Sequence, residues 1–195
     1  YYGMLTVEEK PKALKLLIKY IADEDGHFYT GVLGGRVIYR VLAENGYVDL
    51  AYNMITRPEF PSYGNWIERG ATTLWELFTL DDTAKGSLNH HFWGDVSAWF
   101  YTYIAGIRIN PNLNDVNEVN ISPCFVEKLD YAKASHMLPS GEIIVDWRRI
   151  ENGIILEIQC PESVYGKIIL KNGYFFKNNT GIEKLANAKY MIYYK

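Results

Sequence analysis

Hydrophobic and polar positions change rhythm once along this chain. Across residues 9–23 the apolar residues Leu14, Leu17, Ile18 and Ile21 recur at i, i+3, i+4 and i+7. At 3.6 residues per turn that spacing lays them on one face of a helix. Pro11 suits the first turn, where its missing N–H costs least. A second helix is predicted over residues 36–44, closed by Asn45-Gly46, a pair suited to the left-handed residue that ends helices. A third, over residues 48–56, must stop ahead of Pro58, because a residue before proline is pushed out of the helical region. Residues 57–65 are rich in turn formers and read as a loop. Thr73 then reads as the N-cap of another short helix. Beyond a polar loop at residues 81–86, Val96, Trp99, Phe100 and Tyr103 form a helical stripe within residues 92–104. Five helices in succession suit an array of αα-hairpins.

Near Gly106 the rhythm shortens. After the breakers Asn110, Pro111 and Asn112, β-type runs appear at residues 121–126, 142–147, 154–159, 167–170 and 190–194. Asn152-Gly153 and Asn172-Gly173 are pairs that favour tight hairpins, whose central residues need positive φ. The expected architecture is therefore α then β. Helices occupy residues 1–109 and an antiparallel β-sandwich occupies residues 110–195.

Composition narrows the function classes. Among the 195 residues, 48% are hydrophobic and 22% charged, with a net charge of -3, as in ordinary globular proteins. Nothing here resembles the clustered Lys and Arg that bind phosphate backbones, so a nucleic-acid partner is not expected. No apolar run reaches the roughly 18 residues of a membrane-spanning helix. Cys124 and Cys160 are too few for a disulfide framework and read as buried free thiols or one bridge. Sixteen Tyr and five Trp serve either core packing or platforms for sugar rings. The start, Tyr1-Tyr2-Gly3-Met4, offers neither an initiator Met nor a signal peptide and reads as a cut, which leaves the compartment open.

Several blocks occur in an order that carries more information than each alone. They are Thr30-Gly31-Val32-Leu33-Gly34, Leu42-Ala43-Glu44-Asn45-Gly46, Gly70-Ala71-Thr72-Thr73-Leu74-Trp75-Glu76, and Ser87-Leu88-Asn89-His90 followed by Gly94 and Ala105-Gly106-Ile107. In these blocks the sequence resembles the bacterial α-L-rhamnosidases of glycoside hydrolase family 78, over nearly the whole chain. The resemblance implies the last hairpins of an (α/α)6 barrel, then a small C-terminal β-domain. It also implies hydrolysis of terminal α-linked L-rhamnose with inversion. The partners it implies are a rhamnose-containing glycoside or oligosaccharide and the remainder of the catalytic domain. No cofactor is implied.

Inversion needs two carboxyl groups, one to protonate the leaving oxygen and one to take a proton from water. By resemblance Glu76 matches the general base, and the general acid belongs upstream of these residues. Local sequence offers another role for Glu76, because Thr73-Leu74-Trp75-Glu76 is also a capping box. His90 matches the histidine that contacts rhamnose hydroxyls, although His91 stands where the family commonly has an aromatic residue. The His90-His91 doublet lacks the spacing of dedicated zinc motifs, and no metal is expected. Tyr63 and Trp66 are candidate substrate-binding residues forming a wall of the sugar pocket, or packing residues. Glu68 and Arg69 read as a solvated pair, and Asp95 as a first-turn acid favoured by the helix dipole. Trp147, Arg148, Arg149 and Tyr131 invite a carbohydrate-binding reading, but strand alternation favours buried packing. Two other classes fit the same residues: a binding module that does not cleave, and a glycosidase of this fold acting on another sugar. A partial barrel should also expose an apolar face to an oligomer or a partner segment.

Overall fold

The computed structural model describes residues 3–27, 30–84, 86–109, 115–171 and 173–194. The chain divides into two compact units, Tyr1–Val96 and Ser97–Lys195. The expected breakers Asn110, Pro111 and Asn112 lie outside the described residues, as does Asn172 of the second hairpin pair.

The first unit is helical. Helix α1 spans Glu9–Asp23 and buries Ile21, while Leu14, Leu17 and Ile18 on the same stripe stay half-buried. Its start is fixed by a reciprocal pair, with Thr6 N–H donating to Glu9 Oε2 at 2.8 Å and Glu9 N–H donating to Thr6 Oγ1 at 3.3 Å. Helix α2 runs Val32–Glu44, earlier than the expected start at Arg36. Gly35 in the added turns allows close packing: a Cβ there would stand 2.5 Å from Trp93 Cζ3. Asn45-Gly46 ends α2 as expected. Gly46 has φ +88, Tyr47 N–H donates to Leu42 O at 2.8 Å and Gly46 N–H to Ala43 O at 3.5 Å, a Schellman pattern. Helix α3, Val48–Thr56, ends on Arg57 in an extended conformation before Pro58.

Three further expectations for the helices need correction. Residues 57–65 are not wholly loop, because helix α4, Tyr63–Glu68, begins inside them. Buried Ser62 caps it, accepting from Asn65 N–H at 2.8 Å and donating to Arg57 O at 2.5 Å. No helix forms after Thr73, and residues 71–80 carry neither helix nor strand. The expected stripe at residues 92–104 is a 3-10 turn, His91–Gly94, then α5, Asp95–Trp99, then a π-helical turn, Phe100–Ala105.

The second unit holds two sheets. Strands β1 (Ile107–Ile109), β2 (Val119–Ile121), β6 (Lys167–Ile169) and β8 (Ile182–Lys184) form one, in that order. Strands β3 (Tyr131–Leu138), β4 (Gly141–Ile150), β5 (Gly153–Gln159), β9 (Ala188–Tyr194) and β7 (Tyr174–Phe176) form the other. All pairs are antiparallel except β2 with β6. Ile143, Val145 and Trp147 of β4 and Ile154, Leu156 and Ile158 of β5 are fully buried, alternating as period-2 strands require. In the β4–β5 hairpin Ile150 pairs with Gly153, leaving Glu151-Asn152 as the two-residue loop. The positive φ of +152 falls on Gly153, where a Cβ would meet Ile192 O at 2.3 Å.

The run at 121–126 is strand only to Ile121. Beyond it Ser122 N–H donates to Gly106 O at 2.8 Å and Cys124 N–H to Tyr103 O at 2.7 Å. The Arg149 guanidinium takes the carbonyls of Phe125 and Val126 at 2.8 and 3.0 Å, and its Nε takes that of Leu129 at 3.0 Å. These buried polar groups are thus satisfied without a strand partner. Trp147 is likewise packed, its Nε1 donating to Ile104 O at 2.8 Å, whereas Tyr131 is exposed and pairs across the ladder with Arg148. Cys124 and Cys160 are both free thiols, and partial burial raises the Cys160 pKa.

Candidate active site

Because the segment from Ala71 to Leu80 forms no regular element, its shape comes from a distant stretch of chain. Glu76 N–H donates to Ser87 O at 2.8 Å and His90 N–H donates to Leu74 O at 2.7 Å. The Thr73 hydroxyl donates to Leu88 O. The two sequence blocks that end in Glu76 and His90 are thereby zipped side by side. The capping box expected at Thr73 and Glu76 does not exist, since there is no helix for it to start and both residues bond elsewhere.

Glu76 has neighbours at both its carboxylate and its main chain. Ser87 N–H donates to Oε2 at 2.8 Å. His90 Nδ1 lies 3.9 Å from the same oxygen, beyond hydrogen-bond reach but close enough to pair when the imidazole is protonated. The main-chain carbonyl of Glu76 accepts from Trp93 Nε1 at 2.8 Å. The carboxylate side chain is 40% exposed and that of His90 24%, so both reach solvent while their backbones are fixed.

Behind this pair stands a wall of rings. Tyr63 and Trp66, expected at the sugar, are 8% and 2% exposed. Trp66 stacks on Phe78 at 4.1 Å between centroids, and both meet Trp93 edge-on, at 6.2 and 4.9 Å. Tyr63 lies edge-on to Trp66 at 5.4 Å, and its hydroxyl donates to Trp93 O at 3.3 Å. Their ring faces are thus occupied by other aromatics. Burial pushes the Tyr63 phenol well above its ordinary range, and that of Tyr39 up to about 12. Phe92, by contrast, is 54% exposed and meets the His90 ring edge-on at 5.0 Å.

Flanking charges are tied down. Arg69, expected to be solvated beside Glu68, instead donates to the Thr79 carbonyl, pairs with Asp82 at 2.5 Å and covers the Trp75 ring at 5.6 Å. Asp95 does open α5, and its carboxylate is gripped by Arg40 of α2 through Nε at 3.1 Å and Nη2 at 2.6 Å. Among the described residues no group of three His, Cys, Asp or Glu could hold a metal ion. Sequence reading missed Gly86 and the Ser87 amide beside the carboxylate, Trp93 at the Glu76 main chain and Phe92 beside His90. No local pattern marks the first three, because they reach Glu76 only through the fold.

The family model described as the bacterial alpha-L-rhamnosidase 6 hairpin glycosidase domain matches residues 1–104, and that of the bacterial alpha-L-rhamnosidase C-terminal domain matches residues 116–175. An alpha-L-rhamnosidase of Alteromonas sp. (strain LOR) is 32% identical over 175 residues, which are 86% of this chain and 19% of that protein. The solved alpha-L-rhamnosidase of Dictyoglumus thermophilum has a TM-score of 0.84 at 29% identity, covering 100% of this chain and 24% of its own. That of Streptomyces avermitilis, complexed with L-rhamnose, has a TM-score of 0.76 at 25% identity, covering 92% of this chain and 19% of its own.

Proposed function

Because this chain belongs to the bacterial alpha-L-rhamnosidase family, we propose that it supplies one half of an inverting acid/base pair, with Glu76 as general base, to an enzyme that releases terminal α-linked L-rhamnose. The helices through Ala105 are assigned to the catalytic domain and the sheets from Ile107 onward to the C-terminal β-sandwich, so the boundary falls slightly ahead of the 109/110 division expected from the sequence. The relative from Alteromonas is about five times longer, so the general acid and the rest of the pocket are assigned to sequence outside these residues.

The observation that carries this reading is the held but half-exposed carboxylate of Glu76 with His90 beside it. In the reaction, the bond from the anomeric carbon to the glycosidic oxygen breaks, and the general acid protonates that oxygen. A water oxygen bonds to the anomeric carbon from the opposite face, and its proton passes to Glu76. Among the described residues both contacts to the carboxylate fall on Oε2, leaving Oε1 to take the proton. His90 serves as hydrogen-bond partner for a sugar hydroxyl, and Phe92 offers an exposed apolar ring beside it. Tyr63 and Trp66 form the packed wall that backs the site.

The test is Glu76→Gln in the intact protein, assayed on an aryl α-L-rhamnoside. Loss of a general base commonly costs about 10² to 10⁴ in turnover, with the fold retained and activity partly restored by azide. Near-normal turnover in that variant rejects the base role.

A further inference from the structure

The Glu76 carboxylate rests against a residue without a side chain. At Gly86, with φ +66, a Cβ would stand 2.8 Å from Glu76 Oε2, 3.2 Å from Cδ and 3.3 Å from Cβ. The adjacent amide, Ser87 N–H, is the one that donates to Oε2, and the Ser87 carbonyl accepts from Glu76 N–H. In two residues the loop thus fixes the backbone of Glu76, grips one carboxylate oxygen and leaves room for the rest of the side chain.

Positive φ alone would explain a glycine here, so the two demands must be separated. Gly46 has φ +88, and a Cβ there meets nothing within 4 Å. It carries the conformational demand without the spatial one. At Gly86 the volume a methyl group would fill is already taken by Glu76, so any L side chain must displace the carboxylate, the loop or both. Displacing either lengthens the Ser87 bond that orients Oε2.

We infer that Gly86 is a positioning residue for Glu76: its bare α-carbon lets the carboxylate settle onto the Ser87 amide in the orientation that takes a proton from water. This inference rests on the general-base reading above. Misplacing a reacting group by about 1 Å can cost roughly 10²-fold in rate, and such a loss falls on turnover, because Gly86 itself need not touch the sugar.

The experiment compares Gly86→Ala, Gly86→Asn and Gly46→Ala in the intact protein, each alone, and Gly86→Ala combined with Glu76→Gln. Steady-state kinetics on an aryl α-L-rhamnoside and thermal midpoints are measured for all. Gly86→Asn guards against a folding defect, since Asn tolerates positive φ better than Ala while still adding the Cβ. Both Gly86 variants are expected to lose about ten- to a hundredfold in kcat with KM within about twofold, whereas Gly46→Ala keeps the parent kcat. On Glu76→Gln, the Gly86→Ala change should cost less than about twofold more, because the group it positions is already disabled. A wild-type kcat in Gly86→Asn overturns the inference, as does a full additional loss in the double variant. A Glu76→Gln enzyme with undiminished turnover removes the underlying base reading instead, whatever the Gly86 variants do.

Discussion

The indole of Trp93 donates its Nε1 proton to the main-chain carbonyl of Glu76 at 2.8 Å, across seventeen residues of sequence. The same ring is 5% exposed and closes over Gly35 of α2. One side chain therefore links helix α2 to the strip that bears the carboxylate. Trp93→Phe keeps a ring but loses the donor, and should cost about 1 to 2 kcal/mol from the unmade hydrogen bond and lost contact. Trp93→Ala opens a cavity and should cost about 3 to 5 kcal/mol. Urea unfolding followed by tryptophan fluorescence measures both; equal stability of the Phe variant and the parent would show that the bond contributes nothing.

His90 and His91 separate by function if His90 alone faces the sugar. The Nδ1 atom of His90 stands 3.9 Å from Glu76 Oε2, while His91 begins the 3-10 turn. His90→Ala should lower kcat/KM by at least about tenfold through lost hydrogen bonding to a sugar hydroxyl, with an almost unchanged thermal midpoint because the side chain is surface-accessible. His91→Ala should stay within about twofold of the parent. Kinetics with the two variants side by side check the assignment, and a larger loss in His91→Ala transfers the role.

How far the sequence could be read is clearest in two of its Thr-x-x-Glu patterns. At Thr6 and Glu9 the pattern does what its spacing promises, because a helix follows and both side chains find the local amides. At Thr73 and Glu76 the same pattern forms no cap, since Leu88 O and the Ser87 main chain satisfy these residues first. Local spacing cannot reveal a partner eleven or fifteen residues away. Helices α1 and α3 were legible in the sequence because periodicity and Pro58 define them within a short window. Strands β1, β7 and β8, of three residues each, are too short for alternation to register. Likewise the ring faces of Tyr63 and Trp66 are committed to Phe78 and Trp93, a fact of packing that composition could pose only as a choice.

The Arg40–Asp95 pair should behave as a coupled unit. Its two bonds are bidentate and its side chains are 30% and 20% exposed, so solvent screens it only in part. Hydrogen bonds to charged groups contribute about 1.5 to 3 kcal/mol, and partial exposure argues for the lower end. Asp95→Asn should therefore destabilise the helical unit by about 1 to 2 kcal/mol. A cycle with Arg40→Met should show the double variant less destabilised than the sum of the singles. Strict additivity in chemical unfolding would mean that the two residues act independently.

High pH should unfold the helical unit through its buried phenols. Tyr63 is buried and Tyr39 part-buried, and loss of hydration pushes both phenols upward, Tyr39 to about 12. In the unfolded chain each would ionise near 10. A group whose folded pKa is raised gives stability that is fully present below its unfolded pKa and is lost as pH climbs through the folded one. The loss therefore begins near pH 10 and for Tyr39 is complete near 12, with Tyr63 extending it further. Each phenol contributes a slope of about 1.4 kcal/mol per pH unit in that window. Tyr39→Phe should remove one such slope and flatten the alkaline limb, while stability at neutral pH falls only slightly. Urea unfolding at stepped alkaline pH, with phenolate absorbance recorded on the same samples, follows both sides of the linkage. Phenolate appearing at Tyr39 near pH 10 before any loss of helix would show that burial does not hold the proton there.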